Sequence, residues 1–283
     1  MIISVASGKG GTGKTTVATN LALSLVGDVQ LLDCDVEEPN AHIFLKPDIR
    51  ERIPSVIAIP EIDDDKCDYC GKCKDFCVYN ALAVLPKGKD GKGSVLFFKT
   101  LCHGCGGCYI VCPNDAISEV NHEIGVIEKG VSGNVQFIHG KLNIGEILSP
   151  VVIRQTKDHI DKSKTVIIDA PPGTSCPVVA TLKQTDFCIL VTEPTPFGLN
   201  DLVLAVDVLK KMSIPFGVVI NRSDIGDDKV TQYCEKNDIP ILMEIPFDRE
   251  IAQYYSEGIP FVNKMESYKE EFKGMYERIV NLI

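Results

Sequence analysis

Short apolar runs bounded by turn residues punctuate this chain: Ile2 to Ala6, Val29 to Asp33, Val166 to Asp169, Phe187 to Val191, Phe216 to Ile220 and Ile241 to Ile245. Runs this short and this continuous suit parallel strands buried on both faces. Between most of them the apolar positions fall at helical spacing, over Thr15 to Leu25, Val151 to Lys162, Leu199 to Met212, Lys229 to Asn237 and Tyr268 to Leu282. In the last of these, Phe272, Met275, Tyr276 and Ile279 make the face that a core would take. Strand alternating with helix predicts an α/β fold with a doubly wound, mostly parallel sheet.

The alternation lapses between about Glu61 and Val120, where Cys, Gly, Lys and Asp take over. Both flanks are needed to complete one sheet. The expected organisation is therefore one domain built from residues 1–60 and 121–283, with a second domain, 61–120, inserted into it. The insert repeats internally: Cys67, Cys70, Cys73 and Cys77 recur 35 residues later as Cys102, Cys105, Cys108 and Cys112, and Asn80-Ala81-Leu82 is echoed by Asp115-Ala116-Ile117. A duplicated half-module with pseudo-two-fold symmetry follows.

Directly after the first predicted strand, Gly8-Lys9-Gly10-Gly11-Thr12-Gly13-Lys14-Thr15 fits G-x-x-x-x-G-K-[ST] and opens the first predicted helix. Glycines there let successive N–H groups turn toward a phosphate, and the helix N-terminus adds partial positive charge. Lys14 is expected to reach the β- and γ-phosphates and the Thr15 hydroxyl to ligate Mg²⁺, with Thr16 beside it on the same turn. ATP or ADP is the implied ligand.

Lys9, a second lysine early in this loop, gives GKGGTGKT, which resembles the deviant phosphate loop of the MinD/ParA ATPases, the Mrp-type cluster carriers and the nitrogenase iron protein. In that superfamily this lysine crosses a dimer interface to the partner's nucleotide, so the resemblance implies an ATP-dependent sandwich dimer, either a homodimer or a heterodimer with a paralogue. Leu31-Leu32-Asp33-Cys34-Asp35 is similar to the superfamily's second-strand motif. Asp35 is then the carboxylate that orients the attacking water, and Asp33 a supporting strand-end carboxylate. Val166 to Asp169, continued by Ala170-Pro171-Pro172-Gly173, resembles the segment whose aspartate holds the Mg²⁺ shell, a role that falls to Asp169. Lys9, Lys14, Asp35 and Asp169 are the expected catalytic set. Asn221-Arg222 and Pro246-Phe247, each following a strand, resemble adenine-contacting segments.

The spacing C-x2-C-x2-C-x3-C, twice over and with Pro113 after the second run, resembles the bacterial two-cluster ferredoxins. By that resemblance the insert is an α+β ferredoxin-like domain holding two 4Fe-4S clusters, one on Cys67, Cys70, Cys73 and Cys112 and the other on Cys102, Cys105, Cys108 and Cys77. A zinc ribbon would use paired C-x2-C knuckles, which explains neither the third cysteine of each run nor the duplication. Val78 stands where many ferredoxins place proline. Of the remaining cysteines, Cys34 and Cys188 read as small buried apolar residues. Cys176, seven residues after Asp169, matches by offset a dimer-bridging cluster ligand of the nitrogenase iron protein, although the second ligand has no counterpart; a plain loop thiol is the other reading. None of the five histidines falls in a motif, and His103 reads as a filler beside Cys102.

Composition narrows the classes. A formal charge of -10 argues against a general nucleic-acid or anionic-membrane binder. Met1 runs straight into the first strand without a signal-peptide pattern, and no apolar run reaches the roughly 20 residues of a membrane span. The expected location is cytoplasmic, where closely spaced cysteines indicate metal ligation rather than disulfides. Three functions fit the motifs. The first is an ATPase coupling the nucleotide state of a dimer to electron transfer, with a redox partner protein. The second is an Mrp-type iron-sulfur cluster carrier, although those resemble this chain only in the nucleotide fold and use a C-x-x-C absent after Cys112. The third is a MinD/ParA-like positioning ATPase, which lacks support here because no amphipathic tail or other stable membrane anchor follows the last helix.

Overall fold

The computed structural model describes residues 1–85, 88, 91 and 93–283, so residues 86, 87, 89, 90 and 92 of the expected insert lie outside the described residues. The chain forms two compact units, residues 1–53 with 127–141 and 149–283, and residues 54–126 with 142–148. The expected insert lies within the second unit, which also takes in 54–60, 121–126 and 142–148. Its edges differ from 61 and 120 because the strands over 48–62 and 117–132 each run through a unit boundary without a break.

In chain order the elements are β1 (Ile2–Ala6), α1 (Lys14–Ser24), β2 (Val29–Asp33), α2 (Ala41–Leu45), β3 (Asp48–Ile62), α3 (Lys72–Phe76), β4 (Leu82–Leu85), β5 (Ser94–Phe97), α4 (Gly107–Ile110), β6 (Ile117–Ser132) and β7 (Val135–Leu142). They continue with α5 (Ser149–Lys157), β8 (Thr165–Asp169), α6 (Cys176–Leu182), β9 (Phe187–Thr192), α7 (Pro196–Met212), β10 (Phe216–Asn221), α8 (Lys229–Lys236), β11 (Ile241–Ile245), α9 (Arg249–Ser256) and α10 (Glu266–Leu282).

Among the described residues the main sheet runs β11, β10, β9, β1, β8, β2, β7, β6, β3, and the pairings from β11 across to β7 are parallel. Strand alternation sorts the core of the first unit onto two faces. Phe187, Ile189 and Val191 of β9 pack with Val17 and Leu21 of α1 and with Phe272, Met275 and Ile279 of α10. Cys188 and Leu190 of the same strand pack with Leu202, Val206 and Leu209 of α7 and Val230 and Cys234 of α8. Helices on both faces make the sheet doubly wound. Each fully buried Leu, Ile or Phe contributes roughly 1.5–3 kcal/mol, so the sheet itself is a rigid base for the loops at its strand ends.

Three features depart from the sequence reading. Strands β3, β6 and β7, the last three of the sheet, depart from the apolar-run pattern because polar and charged residues interrupt their apolar positions, as in Arg50, Glu51 and Arg52 of the exposed start of β3. Gly133 (φ +57°) and Asn134 close β6 and β7 into a two-residue hairpin. The helix expected to reach Lys162 stops at Lys157, because Gln30 of β2 captures the next turn's backbone, donating to His159 O (3.0 Å) and accepting from Asp161 N (2.9 Å). Short helices α2, α6 and α9 were also missed.

The second unit repeats itself in detail. Tyr69 and Gly104, Gly71 and Gly106, and Asn80 and Asp115 all have positive φ, and each pair is 35 residues apart. Helices α3 and α4 start 35 residues apart, and Ala81 and Ala116 are both buried. The duplication in sequence is a duplication in backbone conformation.

Candidate functional site: a phosphate loop and two thiol cradles

β1 ends at Ala6, the loop 7–13 follows, and α1 begins at Lys14 behind Gly13, whose φ of +96° is left-handed. No side chain caps α1 and its first turn holds no acidic residue, so its leading N–H groups are free for an anion. The Thr12 hydroxyl is likewise buried without a partner. Lys14 is buried at the loop's end.

Two aspartates stand side by side on β2 and β8, where Asp33 and Asp169 are register partners. Thr15 Oγ1 donates to Asp169 Oδ2 at 2.5 Å, whereas Asp169 Oδ1 is buried without a partner. Burial pushes the Asp169 carboxyl up to about 7, against the Thr15 hydrogen bond and the Lys14 charge. An orphaned carboxylate oxygen beside a threonine hydroxyl is the oxygen donor set that a hydrated Mg²⁺ takes. Asp33 accepts from the N–H groups of Asp35 (3.1 Å), Asn40 (2.9 Å) and Ala41 (2.9 Å), and so fixes the loop that carries Asp35. Its own carboxyl is held well above the usual range, by burial first and then by Asp169. Asp35 is half-buried, and burial raises it to about 6 against the pull of Lys14.

One cavity of about 330 Å³ brings Lys14, Thr15 and Asp35 together with the expected base-binding segments: Gly10, Gly11, Gly13, Lys14, Thr15, Thr16, Asp35, Pro172, Asn221, Arg222, Pro246 and Phe247 all line it, whereas Asp33 and Asp169 do not. Asn221 Nδ2 donates to Thr12 O at 2.9 Å, tying the end of β10 to the loop. Gly8, Lys9 and Thr12 belong to the loop but do not line the cavity. Lys9 Nζ instead lies 3.9 Å from Glu193 Oε2. The cavity also takes in Ile251, Ala252 and Tyr255 of α9, which the sequence reading missed. The available signal was Asp248, whose side chain accepts from Glu250 N (2.7 Å) and caps that helix.

In the second unit the eight expected thiols fall into two sets. Cys67, Cys70, Cys73 and Cys112 line a tight cavity, and Cys77, Cys102, Cys105 and Cys108 line a wider one of about 380 Å³. Each set takes three cysteines from one repeat and the fourth from the other. Backbone amides point at the sulfurs, with Ala81 N donating to Cys77 Sγ (3.4 Å), Ala116 N to Cys112 Sγ (3.3 Å) and Gly104 N to Cys102 Sγ (3.5 Å). The first two of these bonds are repeat mates. Among the described residues no three His, Cys, Asp or Glu side chains converge on a single ion position. Four thiols spread around a cavity, with N–H donors behind them, fit a body of several metals in which each sulfur takes its own iron. Burial pushes Cys73 and Cys102 up and Cys108 to about 11, so any metal taken up by these thiols would displace protons.

The mouths of the two cradles differ. Tyr79 and His103 stack over the second, with ring centroids 3.6 Å apart and planes 10° apart. Their repeat mates at the first are Asn114 and Asp68. Val78, in the position of Pro113, is exposed. His103 thus has a ring partner that the sequence reading did not give it. Cys34, Cys188 and Cys234 are buried, and Cys176 is exposed as the first residue of α6. His139 is buried, with Nε2 2.6 Å from Glu128 Oε2.

The family described as the CobQ/CobB/MinD/ParA nucleotide binding domain matches residues 3–261. The chain belongs to that family. Two uncharacterized proteins of Methanocaldococcus jannaschii are each 33% identical to it, over 96% of both chains in one case and over 100% of this chain and 98% of the other in the second. A protein of Pyrococcus horikoshii named as an iron-sulfur cluster carrier is 27% identical over 99% of this chain and 85% of its own length. Among solved structures, the septum site-determining protein MinD of Pyrococcus horikoshii, complexed with Mg-ADP, superposes with a TM-score of 0.60 at 22% identity, covering 98% of this chain and 95% of that one. That last likeness is one of fold. It gives this CobQ/CobB/MinD/ParA member a MinD-like α/β architecture, with the phosphate loop at the C-terminal edge of the sheet where such folds bind ligands. No helix among the described residues is long and apolar enough to cross a membrane.

Proposed function

We propose that this protein binds and hydrolyses Mg-ATP in an ATP-dependent sandwich dimer and couples its nucleotide state to electron transfer through two 4Fe-4S clusters. The single observation that carries the reading is the division of eight thiols into two cradles of four in a chain that also carries a family phosphate loop. The clusters, when bound, supply one-electron carriers. They would be held by Cys67, Cys70, Cys73 and Cys112, and by Cys102, Cys105, Cys108 and Cys77.

On the nucleotide side, the free amides of the loop and α1 receive the phosphates, and Lys14 neutralises the β- and γ-oxygens. Thr15 and Asp169 are placed to hold Mg²⁺. Asp35 orients water and takes its proton, since phosphoryl transfer asks for positioning more than covalent help. Asn221, Arg222, Pro246 and Phe247 would cover the base, with Tyr255 beside them. Lys9, which does not line its own cavity and lies against Glu193, would serve the partner's nucleotide.

Coupling follows the chain. The loop organised by Asp33 leads through α2 into β3, the strand that continues into the second unit. The dimer is a homodimer or a heterodimer with a paralogue; two relatives of equal identity in one organism support the existence of such paralogues. A redox protein is the expected further partner.

A second reading, an ATP-dependent cluster carrier, draws on the relatives named as carriers. Two cradles with four thiols each favour retention over delivery. Anaerobic EPR redox titration with and without Mg-ATP decides between them: nucleotide-shifted midpoints and retained iron support electron transfer, whereas ATP-accelerated iron transfer to an apo-acceptor supports the carrier.

A further inference from the structure

The two repeats of the second unit share a backbone at residues 69 and 104 but not a side chain. Both positions are left-handed, with φ of +61° at Tyr69 and +63° at Gly104. Glycine takes that conformation without strain, whereas a bulky residue does not. Gly104 has no room for anything larger, since a Cβ on it would lie 3.0 Å from Ala58 O and 3.2 Å from Ile57 Cβ. Tyr69 has room and uses it. A Cβ on Gly93 would fall 2.4 Å from Tyr69 Cγ, so the ring fills the space that a side chain at 93 would take. Its hydroxyl donates to Asp64 Oδ1 at 3.4 Å. Gly93 leads into β5, where Val95 pairs with Val84 of β4, and both valines line the same cavity as Tyr69. The ring therefore stands between the Cys67–Cys70 turn and the β4–β5 pair. That cavity measures about 20 Å³, against about 380 Å³ for the one beside Gly104.

A strained residue persists only where its surroundings over-determine it, and here what they hold in place is the ring. We infer that the Tyr69 ring is a cover for the first cradle, keeping water and solutes from the cluster held there and leaving the second cluster as the open one. The inference rests on the two-cluster reading. Tyr79 and His103 make no equivalent cover, because they stack on each other, Tyr79 is exposed and their cavity stays wide. A cover of this kind slows the approach of chelators. It also makes the added negative charge of a reduced cluster less favourable than water would, and so holds the midpoint potential down.

The test is anaerobic iron release from the dithionite-reduced full-length chain to bathophenanthroline disulfonate, with EPR spectra taken alongside, for wild type, Tyr69→Gly and Tyr69→Phe. Wild type releases iron in two phases of similar size, and the EPR component that survives longer is the one missing from Cys70→Ala. Tyr69→Gly relaxes the backbone and speeds the slow phase by at least about tenfold, the lower end of the effect of losing an outer contact of a metal site. It leaves the fast phase unchanged and raises the midpoint potential of the first cluster alone. Tyr69→Phe keeps the ring and behaves as wild type. A single phase in wild type, or a slow phase unchanged in Tyr69→Gly, overturns the inference. Equal acceleration of both phases overturns it too, since that would mean a loosened unit, as does acceleration in Tyr69→Phe, which would place the effect in the bond to Asp64. A wild type that carries no iron overturns the two-cluster reading itself.

Discussion

The Thr15 hydroxyl donates to Asp169 Oδ2 at 2.5 Å, while the other oxygen of the same carboxylate is buried without a partner. Such a carboxyl is strained toward its protonated form, and burial raises it to about 7. Between about pH 4 and pH 7 the folded chain keeps a proton that the unfolded chain has released. Stability from this group is therefore complete below its unfolded value and is lost as pH rises through about 7. Asp169→Asn should unfold in urea like wild type at pH 4.5 but be more stable by about 1–2 kcal/mol at pH 8, in the absence of Mg²⁺ and nucleotide. The same variant should lose at least about 100-fold in Mg-dependent ATP hydrolysis. Lower stability than wild type at pH 8 would show that the Asp169 charge is already compensated.

Asp35 titrates lower than Asp169 because it is only half-buried; Lys14 pulls against burial at both carboxyls. A carboxylate that accepts a proton from water must be ionised, so hydrolysis should rise with pH through about 6 and level off by about pH 7. Asp35→Asn should cut kcat by about 10²- to 10⁴-fold, with nucleotide affinity within about threefold of wild type. The pH-rate profile checks the assignment: an acid limb that survives in Asp35→Asn belongs to another group.

Gly13 stands at φ +96°, and a Cβ there would sit 2.6 Å from Asn221 Nδ2, the donor that ties β10 to Thr12 O. Gly13→Ala combines an unfavourable backbone with a displaced Asn221. It should cost about 1–3 kcal/mol of stability without ligand and at least about tenfold in ATP affinity. Calorimetric unfolding beside nucleotide titration separates the two effects, and a wild-type unfolding profile would mean that the loop gives way freely.

Much of this could be read from the sequence because it is local. β1, β2 and β11 matched their apolar runs residue for residue, since strands buried over most of both faces stay mostly apolar even with Ser4, Gln30 or Glu244 among them. The phosphate loop and both cysteine runs are contiguous motifs, and the 35-residue echo reappears as paired positive φ angles. What escaped is what only tertiary neighbours decide. β3 carries five exposed residues at its start and looks like a loop until β6 pairs with it. Tyr255 joins the nucleotide cavity from a helix with no buried residue of its own. Glu193 carries no motif at all, and its meeting with Lys9 exists only because β9 ends beside the phosphate loop.

The crossing of the two thiol sets makes the sharpest test of the second unit. Cys77 lies in the first repeat by sequence but lines the cavity of Cys102, Cys105 and Cys108, and Cys112 lines that of Cys67, Cys70 and Cys73. If each cavity holds one cluster, removing the crossed cysteine injures the cluster of the other repeat. Cys77→Ala and Cys105→Ala should therefore lose the same component of the reduced EPR spectrum, and Cys112→Ala and Cys70→Ala the other, each with iron falling to about half of the wild-type content. Both spectra should be taken on anaerobically purified full-length chains, whose far-UV circular dichroism confirms that the fold persists. If Cys77→Ala groups with Cys70→Ala instead, the cysteines are ligating within their own repeats, and the cradles do not describe the loaded protein.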